Sequence, residues 1–120
     1  MAKFMLILNQ TPGLWRQISP EEMQRKVQTY QGWMAKFHSS GRYISSEKLG
    51  EEGGKLLSLQ SGRPIVMDGP YMETKELVGG YLLFRADNYE EAVELVRDCP
   101  FLHDGSIVLR QTDPRGCGGE

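Results

Sequence analysis

The sequence predicts an α+β domain: an antiparallel sheet carrying two helices on one face, with a β-hairpin inserted between its halves. Three observations predict it. Apolar runs of strand length lie at Phe4–Leu8, Gly79–Arg85 and Ser106–Gln111. Two segments with helical spacing, each opened by a capping pattern, lie between strands. A short glycine turn joins two further strands near the middle of the chain.

Taken in order, Phe4–Leu8 is continuously apolar, which predicts a strand buried on both faces. Pro12-Gly13 breaks it. Ser19-Pro20-Glu21-Glu22 then opens the first helix: Ser19 caps, Pro20 suits the first helical position, and Glu22 completes a capping box. Ile18 and Met23 are spaced as a hydrophobic staple. Met23, Val27, Tyr30, Met34 and Phe37 share one helical face, and Gly41 is placed to end the helix in the left-handed region. Gly32 interrupts this helix and offers a place for another backbone or a ligand to approach. Tyr43–Leu49 reads as the second strand, followed by a loop over 50–54. Leu56–Gln60 and Ile65–Asp68 form a hairpin about Ser61-Gly62-Arg63. After Gly79–Arg85, Asn88-Tyr89-Glu90-Glu91 opens a second helix whose buried stripe is Tyr89, Ala92, Val93 and Val96, with Pro100 beyond its end. The order strand, helix, strand, hairpin, strand, helix, strand is the split βαβ, ferredoxin-like pattern.

Length and composition narrow the functional classes. A chain of 120 residues is one domain, here residues 1–112 with a loose tail over 113–120. The net charge of −2 gives no basic footprint, so no nucleic-acid partner is expected. No apolar run reaches the roughly 18 residues of a membrane span. Cys99 and Cys117 have no metal spacing, and no metal or cofactor is expected. A cytoplasmic location is the default. In this fold both helices cover one sheet face, yet apolar residues point to both. A second copy is therefore expected over the open face, making a homodimer.

The densest chemistry lies in Asp68-Gly69-Pro70-Tyr71, Glu73-Thr74-Lys75-Glu76 and Gly79-Gly80-Tyr81. These three blocks at fixed spacing closely resemble the YCII-related superfamily, in its DGPF-domain branch, and the resemblance runs from the first strand to Arg110. It implies a ferredoxin-like fold paired through its sheets as a dimeric α+β barrel. It also implies an enzymatic reading, with a His–Asp pair in a cleft. The Asp matches Asp68; the His falls where Tyr30 stands, so the pair is broken here, and His38 is two turns further on. The family's last strand commonly carries a Glu two residues before an Arg. Val108 takes that place in this chain, and Arg110 remains. An association with transcription initiation, through neighbouring sigma-factor genes, is a further implication.

Each candidate residue has a plainer reading beside the functional one. Asp68 suits a general acid or base, or an Asx turn. Glu73 and Lys75 suit a polar cleft, or a solvated loop. Thr74 suits a ligand contact or a turn cap, and Tyr71 suits the closing of a pocket. Gly79 and Gly80 suit close strand approach or a bulge. Tyr30 and Trp33 face a cavity between helix and sheet, or the core. Arg110 pairs with Asp68 or Glu73, binds an anionic ligand, or is exposed at the strand end. His103-Asp104 reads as a solvated loop, and His38 and Arg42 as partners of the first helix's end. Two functions follow. One is a small-molecule-binding protein or enzyme with a cleft at Asp68 near the dimer seam, Asp68 acting as catalytic group and Tyr30, Tyr71, Glu73, Thr74, Lys75 and Arg110 binding the ligand. The other is a non-catalytic regulatory or interaction module.

Overall fold

The computed structural model describes residues 1–11, 18–50, 54–68 and 77–116. Its elements are β1 (Ala2–Gln10), α1 (Pro20–Ser39), β2 (Tyr43–Lys48), β3 (Lys55–Gln60), β4 (Arg63–Asp68), β5 (Leu77–Ala86), α2 (Tyr89–Val96), a 3-10 turn (Pro100–His103) and β6 (Gly105–Gln111). Four strands form one antiparallel sheet in the order β2-β5-β1-β6, and β3 and β4 form a separate two-stranded ribbon. With the ribbon set aside, this is the ferredoxin-like order that the element sequence predicts.

Local chemistry fixes the element ends. The Ser19 hydroxyl accepts from the Glu22 amide at 3.1 Å, capping α1. Gly41 adopts φ 75°, and the Arg42 and Gly41 amides donate back to Phe37 and His38. That Schellman closure needs a residue tolerant of positive φ. Asn88 caps α2 by accepting from the Glu91 amide at 2.9 Å. Ser61 and Gly62 both have positive φ, which makes the ribbon's turn a two-residue type I′ hairpin.

The core lies between the helices and one sheet face. Phe4, Leu6 and Leu8 of β1 alternate inward and meet Leu82, Phe84 and Ala86 of β5, with Met34 and Phe37 of α1 and Ala92 and Val96 of α2 above them. Phe37 and Phe84 contact edge to face at 5.1 Å. Several expectations change. Met5 and Ile7 are only half-buried, so β1 is not buried on both faces in one copy. Val27, Tyr89 and Val93 are exposed, because the helices cover less of the sheet than their apolar stripes allow. Tyr89 still packs on Phe4 and accepts a hydrogen bond from the Gln111 amide. Among the described residues nothing lies within 4 Å of a Cβ built on Gly32, so none of their backbone approaches it. The Arg42 guanidinium pairs with Glu91 at 2.6 Å, while its amide closes the end of α1.

Candidate functional site

A cleft of about 760 Å³ opens between α1, the ends of β1, β2 and β5, and the 3-10 turn. That volume suits a small organic molecule. Its helix wall runs along α1: Glu22, Lys26, Tyr30, Met34 and His38, four residues apart, wind gradually across it, with Arg25, Val27, Thr29 and Gln31 beside them. The sheet contributes Leu8, Gln10, Ser46 and Gly79, and the segment after α2 contributes Phe101, His103 and Asp104.

Three features give the cleft its chemistry. Gln10 continues the inward register of Phe4, Leu6 and Leu8 and is 3% exposed, which brings an amide donor and acceptor to the sheet floor. Tyr30 packs against Trp33 with ring centroids 5.6 Å apart. Burial holds its phenol well above the usual range, with Cys99 and Tyr43 adding to the effect, so it stays a hydrogen-bond donor in any physiological medium. Lys26 donates to Asp104 at 2.7 Å, tying α1 to the segment before β6. Among the described residues, no group of three or more His, Cys, Asp or Glu side chains is arranged to hold a metal.

The double glycine is explained by close approach. Gly79 is the bulged residue of β5, where β1 shifts register between Leu8 and Asn9. A Cβ there would lie 2.7 Å from the Gln10 side-chain oxygen, and one on Gly80 would lie 2.7 Å from the Glu47 carbonyl. Side chains at either position would displace Gln10 or part β2 from β5.

Of the residues singled out in the sequence, Tyr30 lies in the cleft. Asp68 does not line it: it closes β4 at the base of the ribbon, with 80% of its side chain exposed, and pairs with Lys55 across the strands. Of the alternatives for Arg110, Asp68 is not its partner, and exposure is what the structure has. Arg110 is exposed on the uncovered face of the sheet, opposite Met5. Tyr71, Glu73, Thr74 and Lys75 lie outside the described residues. Leu77, the next described residue, pairs with Gln10. Asp104 was expected in a solvated loop, yet its side chain is 13% exposed and faces Lys26 from 78 positions away. Nothing local in the sequence marks that pairing. Gln10 could have been found by extending the alternation of β1 by one step.

The fold is shared with a solved structure of 5-chloro-2-hydroxyhydroquinone dehydrochlorinase from Burkholderia phenoliruptrix in complex with 2,5-dihydroxybenzoquinone. The TM-score is 0.53 at 11% identity, over 92% of this chain and 93% of the other. An uncharacterised protein of Rhizobium meliloti is 34% identical over 64 residues, which are 48% of this chain and 52% of that protein. The match thus spans about half the length of that relative. The YCII-related domain model matches residues 2–112, nearly the whole chain, and the protein belongs to that family.

Proposed function

We propose that this protein binds a small, polar, largely uncharged organic molecule in the cleft beneath α1, as a ligand-binding protein or as an enzyme acting on it. The observation that carries this reading is the cleft itself, with buried Gln10 on its floor and a protonated Tyr30 on its wall. Among the described residues the charges around it cancel: Arg25, Lys26 and Lys48 against Glu22, Glu47 and Asp104, three of each sign. A site so balanced has little to offer a strongly anionic or cationic ligand. Leu8, Val27, Met34 and Phe101 supply apolar wall, which suits a ring bearing hydroxyl or carbonyl groups. The fold-sharing dehydrochlorinase is described with a dihydroxyquinone bound, so phenols and quinones belong in the first screen.

In this reading Asp68 works at the base of the ribbon. Arg110 belongs to the uncovered sheet face, over which a second copy packs. The test is a thermal-shift screen of small phenols, quinones and aromatic amides. At least one class should raise Tm. Val27→Trp, which fills the cleft mouth from an exposed position, should abolish that shift, and Asp68→Ala should preserve it. A shift that survives Val27→Trp and disappears in Asp68→Ala would move the site away from this cleft.

A further inference from the structure

We infer that the β3–β4 ribbon is a clasp by which each copy of the chain grips a second copy. The inference rests on the homodimer reading above and adds the element that secures it. Every residue of the ribbon except Ile65 is exposed. Its register puts Leu57 opposite Val66 and Leu59 opposite Pro64. With strand alternation these four stand on one face, and Leu57, Leu59 and Val66 are 63, 72 and 62% exposed. Leu56 and Met67, opposite each other on the reverse face, are 41 and 45% exposed. An isolated two-stranded hairpin is marginal in water. One that presents apolar side chains on both faces is built to be covered.

The occupant is a second copy for three reasons. First, the same chain carries a matching deficit, the uncovered sheet face with Met5, Ile7, Leu83 and Val108. Second, a stable dimer buries about 800 Å² per partner, so apolar surface beyond the sheet face favours it. The clasp face supplies more of the same kind of surface. Third, the reach fits. Six residues per strand extend about 20 Å, close to the roughly 19 Å width of four strands. The chain is broad and thin, 48 × 45 × 19 Å, with a radius of gyration of 16.5 Å, against roughly 13.5 Å for a compact domain of this length. A two-fold arrangement lets both clasps close at once.

The test compares the intact protein with Leu57→Lys/Val66→Lys by sedimentation, with amide hydrogen exchange over residues 55–68. The wild type should sediment as a dimer, and its ribbon amides should lose protection when it is diluted to monomer. The double variant should dissociate at concentrations at least tenfold higher, with its helical circular dichroism unchanged. If it loses that signal, Leu59→Lys, at the most exposed of these positions, decides by the same measurement. A wild-type dimer that both variants leave equally tight overturns the clasp while the homodimer stands. A wild-type monomer overturns both, and a monomer with protected ribbon amides would mean that the ribbon folds back on its own chain.

Discussion

Cys99 is 2% exposed, and burial pushes its thiol up to about 11. It should therefore resist iodoacetamide at pH 8 in the native protein and react once urea unfolds it, as read by mass spectrometry of the peptide that contains it. Its chain neighbour Asp98 has the opposite shift. The Trp33 indole donates to its carboxylate at 2.8 Å and Lys36 at 3.1 Å, which holds Asp98 below the usual carboxylate range. A carboxylate depressed in the folded state adds stability above its unfolded pKa, and that contribution is lost as pH falls through the folded value. Denaturation followed from pH 6 down to 2 should show the loss, and Asp98→Asn should flatten this acid limb. Neither residue's role could be read from its neighbours in the chain. Trp33 and Asp98 are 65 positions apart, and only packing α1 beside the end of α2 joins them.

At the scale of elements, the caps were legible and the depth of burial was not. Ser19 and Asn88 act as the capping patterns require, because an N-cap is decided within three residues. Ser19→Ala should cost about 1 kcal/mol in urea unfolding. Gly32 sits exposed in α1 with open space around it. Gly32→Ala should raise stability by about 0.5–1 kcal/mol, since alanine loses less backbone freedom in a helix. A failure to stabilise would mean that another surface packs there. The apolar stripe of α1 predicted a uniformly buried face, but it divides. Met34 and Phe37 enter the core while Val27 stands over the cleft. Periodicity gives the direction of a side chain, not whether another layer meets it.

For the whole molecule, the deciding feature is the sheet face that neither helix covers. Val108 is 40% exposed there and pairs with half-buried Ile7. Val108→Asp should weaken self-association by an order of magnitude or more in sedimentation while leaving Tm of the dissociated chain nearly unchanged, because the inward core is untouched. A substitution that unfolds the chain instead would mean that Val108 is needed within one copy. Polar density along a chain does not say where a cleft forms, and here the cleft forms where α1 stands away from the sheet.

The sequence by itself determined the order of elements, the caps and turns, the glycine-dependent approach of β5 to β2, and membership of a known domain family. These rest on local chemistry, on the alternation of side chains and on motif spacing. Tertiary structure alone decided that Lys26 meets Asp104, that Gln10 becomes a cleft floor, and that Asp68 is turned to Lys55 at the ribbon's base. Such pairings depend on how far the helix and the ribbon stand from the sheet, and that distance is set by packing among residues far apart in the chain.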